Sequence, residues 1–201
     1  LRRLETQYGV TAYAPTREKA AKWMKEVALE TFDLTGQFED VNVEDVNPFQ
    51  NLTNCTASPY ASYLLKGEPS KKDIEDARDL IRLSEDQFVH WNSLPEKNGI
   101  RRLFGPCVFE QHRYQTPVDA SSCNVANAYL DLYNATGDKL AFAKAKALVD
   151  ALTIAQQVTN GYTPTTLDYR DPERDKGRTF WLNCSAATIK IWLRMADLTG
   201  E

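Results

Sequence analysis

CNVANAYLDLYNATGDKLAFAKAKALVDALTIAQQ, residues 123–157, is the stretch on which the fold turns. In its first part Val125, Tyr129, Leu132 and Tyr133 recur at i, i+4, i+7 and i+8, which predicts a helix with one apolar face. Gly137 predicts the end of that helix, because glycine takes the left-handed conformation a helix C-terminus favours. Asp138 is then placed to cap the next helix. From Lys139 to Gln157 the apolar positions are Leu140, Ala143, Ala147, Leu148, Leu152 and Ala155, several of them small enough for a neighbouring helix to approach closely. The stretch reads as an antiparallel helical hairpin.

The same turn recurs. Asp33-Leu34-Thr35-Gly36-Gln37 and Asp197-Leu198-Thr199-Gly200-Glu201 also close apolar-periodic segments. Helices that precede a turn are expected to start near Pro59, Cys123 and Ser185, about 60 residues apart, a little longer than common two-helix repeats.

Outward from there, Thr16 is expected to cap a helix through about Asp33, with Ala20, Trp23, Met24, Val27 and Thr31 on one face. Pro59 suits the first turn of a helix carrying Tyr60, Tyr63 and Leu64, and Gly67 ends it. Ser70 and Asp73 form a capping box for Lys71 to His90, with Ile74, Ala77, Ile81 and Phe88 facing inward. The last helix carries Ile189, Trp192, Met195 and Ala196 on one side. Long connections at Gln37–Ser58, Trp91–Ser122 and Val158–Leu182 alternate with short turns. Antiparallel helices put alternate connections at opposite ends, so all three long ones are expected at one pole. Loops of more than about 15 residues are uncommon unless they serve a function, which makes that pole the expected site. The fold class is therefore all-α, as antiparallel helical hairpins in a single helical domain over residues 1–201.

Composition narrows the function. A chain of 201 residues can bury a sizeable core, and its net charge of −4, with no basic stripe, argues against nucleic acid as partner. No apolar run approaches the roughly 20 residues that span a bilayer, so no membrane partner is expected. The chain opens at Leu1 rather than Met, as expected of a processed or truncated chain. Cys55, Cys107, Cys123 and Cys184 form no C-x-x-C pair, and with only His90 and His112 beside them neither a metal site nor any other cofactor is expected. N-x-S/T sequons begin at Asn51, Asn54, Asn134 and Asn183; Asn134 also suits a turn and Asn183 a helix cap. The acidic run from Glu39 to Asp45 lacks the glycine of a calcium loop and reads as solvated surface.

Six helices of this kind make half of a closed ring of six hairpins. With its Thr-Gly-Asp and Thr-Gly-Glu turns at 136–138 and 199–201 and its Lys144-Ala145-Lys146-Ala147-Leu148 segment, the chain resembles the six-hairpin, or (α/α)6-toroid, glycan-active enzymes. The likeness is one of architecture and carries no catalytic signature. It implies an oligosaccharide or polysaccharide substrate and a periplasmic or secreted setting. Only three of six hairpins are present, which implies a portion of a larger toroid or closure as a homo-oligomer.

The loops can be read for that chemistry. Phe109 to Asp119 gathers Glu110, His112, Arg113, Tyr114 and Asp119 directly before the central hairpin. A glycoside hydrolase needs two carboxyls across the scissile bond, one protonated and one ionised. Glu110 and Asp119 are candidates for that pair, or either of them with Asp168. The structural alternatives are a Glu110–Arg113 ion pair and an Asp119 helix cap. Trp91, Tyr169, Arg170, Trp181 and Asn183 are candidates for substrate binding, because sugar C–H faces stack on rings while hydroxyls seek bidentate partners. The two tryptophans suit the top of a core equally well, and Arg170 suits a solvated cluster with Asp168 and Asp171. His112 or Tyr114 as base, with Arg113 and Asn124 neutralising a uronate carboxylate, is the corresponding lyase reading. Helical repeats also serve as binding scaffolds, so a non-catalytic glycan- or protein-binding module is the third.

Overall fold

A computed structural model describes residues 1–31, 54–92, 102–103, 105–110, 117–158, 168–169 and 182–200. Most of these are helical, and they belong to two compact units, Leu1–Leu34 and Thr35–Glu201.

In the first unit α1 (Arg2–Tyr8) ends at Gly9, whose φ of 66° is left-handed. α2 (Ala14–Trp23) starts two residues ahead of the expected Thr16 cap, since Pro15 occupies its first turn without needing a backbone donor. A π-helical turn (Met24–Ala28) leads into α3 (Leu29–Thr31). Arg17 Nε donates to Glu5 Oε1 at 2.7 Å and ties α2 to α1. The expected inward face is a correction: Ala20, Trp23 and Val27 are exposed, and Ala28 is the buried position. The turn at Leu34-Thr35-Gly36 lies outside the described residues.

The second unit holds α4 (Asn54–Leu64), α5 (Lys71–Phe88), α6 (Asp119–Thr136), α7 (Lys139–Val158) and α8 (Leu182–Thr199). Four two-residue strands, β1 (Val89–His90), β2 (Arg102–Leu103), β3 (Cys107–Val108) and β4 (Asp168–Tyr169), lie in the connections. α6 is the central helix and packs on α4, α5, α7 and α8. Its Val125, Ala126, Ala128, Tyr129, Leu130 and Leu132 are buried, so it is apolar around most of its circumference, as a helix enclosed by others must be.

Cross-helix contacts set the directions. Arg78 pairs with Asp138 and Glu85 with Tyr129, which runs α5 against α6. The Tyr133 and Phe142 rings meet tilted, 5.0 Å between centroids, while Tyr129 lies by Lys144, so α7 is also antiparallel to α6. Asp119 meets Thr188 and Asp131 meets Arg194, so α8 runs parallel to α6. The ends of α5 and α7 and the starts of α6 and α8 therefore share one pole, from which the connections at 89–118 and 159–181 leave. The turn at 137–138 lies at the other.

The short turns follow local chemistry. Ser70 Oγ accepts from the Asp73 N–H at 3.1 Å while the Ser70 N–H donates to Asp73 Oδ2 at 3.1 Å, a complete capping box. Gly137 has a φ of 74° and donates its N–H to the Tyr133 carbonyl at 2.7 Å. A Cβ there would meet nothing within 4 Å, so backbone conformation alone calls for glycine. Asp138 Oδ1 accepts from the N–H groups of Leu140 and Ala141 at 3.0 and 3.3 Å, and Oδ2 accepts from Arg78 at 3.1 Å. Those backbone donors, with Arg78, hold the carboxyl below its ordinary range. Asp138→Ala is expected to lose about 1 kcal/mol, the usual worth of a helix cap, measured as a lower urea midpoint at unchanged slope.

Three helices begin earlier than their apolar period predicts, at Asn54, Asp119 and Leu182 instead of near Pro59, Cys123 and Ser185. Their first turns are rich in Asn and Ser, which alone favour turns and caps. In α4 and α6 tertiary burial holds these turns helical: Ser58, Ser121 and Ser122 are enclosed. Pro59 consequently sits inside α4, where it forfeits one ladder hydrogen bond. The faces of α7 and α8 are as expected at Leu148, Leu152, Ala155 and Met195, which are buried, and differ elsewhere. Leu140 and Ile189 are exposed, while Ala141, Ala145, Val149, Thr188 and Ile191 are buried.

Candidate functional site

The connection leaving α5 is laid back across the long-loop pole by backbone pairing. Val89 pairs with Val108 and His90 with Cys107, antiparallel. Phe109 N–H donates to the Phe88 carbonyl at 2.9 Å, and Val118 N–H donates to the Val108 carbonyl at 3.0 Å. Phe109 also bridges to Pro117, which brings the residues flanking 110–116 together. Cys107 and Val108 are fully buried beneath this arrangement. A second ladder pairs Arg102 with Tyr169 and Leu103 with Asp168, which joins this connection to the one that precedes α8.

Among the candidate residues, Glu110 follows the Phe109 bridge and is half-buried. Asp168 and Tyr169 form β4. His112, Arg113, Tyr114, Arg170 and Trp181 lie outside the described residues. So does the side chain of Asn183, whose backbone is in the first turn of α8.

Asp119 occupies the first turn of α6 and has 0 % of its surface exposed. Its Oδ1 accepts from the Ala120 N–H at 2.7 Å, and its Oδ2 accepts from Thr188 Oγ1 of α8 at 3.4 Å. The positive end of the helix dipole favours a carboxylate at this position. Cys123 lies one turn further, its Sγ 3.7 Å from the same Thr188 hydroxyl. Burial, together with the nearby Asp119 charge, pushes that thiol up to about 12, so it behaves as a small apolar group. Asp119 thus belongs to a buried polar seam between α6 and α8. The seam continues at Arg194, which donates to Asn127 Oδ1 at 2.8 Å and Asp131 Oδ1 at 2.7 Å.

Trp91 enters a different constellation. Glu85 of α5 accepts from Tyr129 Oη of α6 at 2.7 Å and from Lys144 Nζ of α7 at 2.6 and 2.7 Å. The Trp91 indole lies beside this carboxylate and adds, least of the three neighbours, to the stabilisation of its charge. The Lys144 ammonium stands 5.7 Å from the Trp91 ring centroid and 5.5 Å from that of Tyr129, within cation–π range. Burial works to raise the Glu85 carboxyl, but Lys144, Tyr129 and Trp91 outweigh it and hold the group below its ordinary value. Burial and the Glu85 charge together push the Tyr129 hydroxyl far up. The Trp91 ring therefore anchors the root of the connection to three helices.

Reading the chain alone missed this cluster. Its members lie 44 and 59 residues apart, and Glu85 and Lys144 look like solvated charges on periodic helices. His90 was also passed over as a site residue. Its ring lies 6.5 Å from Phe109, and its Nε2 is buried with no hydrogen-bond partner among the described residues. A neutral imidazole both donates and accepts, so the pole keeps one versatile nitrogen beside the root of the Glu110 segment.

No family model matches the chain, and neither does any curated protein or solved structure. The functional argument therefore stands on residues and geometry. Among the described residues no group of three or more His, Cys, Asp or Glu is placed to hold a metal ion, and no helix is long and apolar enough to cross a membrane.

Proposed function

We propose that these hairpins are a portion of an (α/α) toroid and that the long-loop pole binds a glycan, with glycoside hydrolase-like chemistry. The observation supporting this most directly is the ladder between β2 and β4. It fastens the connection leading to Glu110 to the one bearing Asp168, so two carboxyl-bearing segments with no sequence proximity are held together. In this reading Glu110 and Asp168 are the working pair, one donating a proton to the leaving oxygen and the other activating water or attacking the sugar. Asp119, wholly enclosed between α6 and α8, acts as the buried support of the pole. His112, Arg113, Tyr114, Tyr169, Arg170 and Trp181 belong to the same connections, Asn183 opens the helix that follows, and together they supply the polar and aromatic groups that hold hydroxyls and sugar faces.

The burial of Asp119 favours one second reading, a non-catalytic glycan-binding module, because it removes a candidate carboxyl from contact with solvent. One assay separates these readings from each other and from the lyase. The full chain is incubated with neutral and uronate-containing glycans, and new reducing ends, ultraviolet-absorbing unsaturated products and bound ligand are measured in parallel. Reducing ends without ultraviolet absorbance are the expected result. Absorbance growing with chain cleavage would transfer the chemistry to a His112 or Tyr114 base. Binding without product would establish the module, and neither binding nor product with any glycan would end the proposal.

A further inference from the structure

α8 buries one face and presents the other. Thr188, Ile191 and Met195 are buried on the α6 side, yet Leu182, Ile189 and Leu193 are 86, 51 and 61 % exposed. With Ala186 and Ala196, which are half-buried, these residues recur at spacings of four, three, four and three. That is the narrow seam by which one helix pairs with another. Lys190 and Asp197 are both exposed, seven residues apart on a single flank of the seam, and neither is ion-paired among the described residues. One flank thus carries a cation near one end and an anion near the other, which makes it complementary to its own reverse.

We propose that this face docks a second copy of the chain, α8 against α8 in antiparallel orientation. A two-fold axis between the helices keeps equivalent flanks on the same side. Centred between Leu193 and Arg194, the pairing sets Lys190 of each copy beside Asp197 of the other and closes Ile189, Leu193 and Ala196 of the two copies against one another, with Leu182 beyond the overlap. A parallel pairing would turn the charged flank towards Trp192 and Thr199 of the copy, where it finds no opposite charge. The charges choose the orientation, and the apolar seam supplies the attraction.

Sedimentation of the full chain over a concentration series tests this, with circular dichroism confirming that each variant is folded. The native chain is expected to be a dimer. Leu193→Glu, at an exposed position, is expected to give a folded monomer. Lys190→Glu and Asp197→Lys each place like charges together twice across the axis, and each is expected to weaken association about tenfold. The double variant Lys190→Glu/Asp197→Lys restores both contacts and is expected to return to native affinity. A native chain that stays monomeric throughout overturns the proposal, as it would if α8 were covered by another segment of its own polypeptide or by a different protein. So does a dimer that survives Leu193→Glu, or a double swap that rescues nothing.

Discussion

Replacing Glu85 with Ala is expected to destabilise the hairpin unit by about 3 kcal/mol, lowering its melting temperature by about 6–10 °C for a domain of this size. The carboxylate binds α5, α6 and α7 together, and its removal strands two donor groups at once. The Lys144 side chain, 27 % exposed in the native protein, loses its counter-charge, and the buried Tyr129 hydroxyl loses its acceptor. Breaking a fully buried pair from one side costs about 3–5 kcal/mol, and the partial exposure here puts the expectation at the lower end. Removing both charges with Glu85→Leu/Lys144→Met leaves no unpaired ion, so the double variant is expected to be more stable than Glu85→Ala. A double variant that loses as much as the two single changes summed would show that the two groups act independently.

The pH dependence follows from the same bonds. The Glu85 carboxyl is held below its ordinary value of 4.5 in the folded state. Its contribution is therefore complete above the unfolded value and is lost as pH falls through the lower, folded one. Between pH 7 and pH 3 the native chain should lose stability more steeply than Glu85→Gln, measured by urea unfolding at each pH. Asp138 has the same sign but is common to both proteins, so the difference isolates Glu85. Parallel curves would mean that the carboxylate gains nothing on folding.

What could be read from the chain and what could not divide along a physical line. The turn at Gly137-Asp138 and the capping box at Ser70 and Asp73 are local devices, complete within a few residues, and the structure has both as the sequence implies. The pole follows from them, because turn lengths alone fix which ends of antiparallel helices coincide. Facing is harder. Ile189, Trp192, Met195 and Ala196 have the period of a buried stripe, but the Thr188–Asp119 and Arg194–Asp131 contacts turn α8 so that only Met195 of the four is buried and Ile189 is exposed. Trp23 and Val27 are exposed for the comparable reason that apolar period tells of a face and not of what meets it. Asp119 is the sharpest case. Its neighbours in sequence fit a helix start or an acid catalyst equally well, and only Thr188, 69 residues away, shows it enclosed.

If the pole is catalytic, Glu110→Gln and Asp168→Asn are each expected to lower turnover about 10²–10⁴-fold while leaving the unfolding midpoint within error of the native chain. Both changes keep the size and shape of the side chain but remove the ability to exchange a proton or to attack as an anion. Asp119→Asn should behave in the opposite way. An amide in that enclosed position still accepts from the Ala120 N–H but brings donors that the helix N-terminus repels, so the change is expected to cost stability, about 1–2 kcal/mol, and little turnover per folded molecule. The contrast matters more than either result alone, because the readouts are independent. Turnover lost at Asp119 with stability intact would mean that the seam between α6 and α8 opens to admit substrate, and the working pair would then be Asp119 with one of the other two. Turnover unchanged at Glu110 and Asp168 would leave those two carboxyls without a catalytic role and move the chemistry to other groups of the connections, His112 or Tyr114 first.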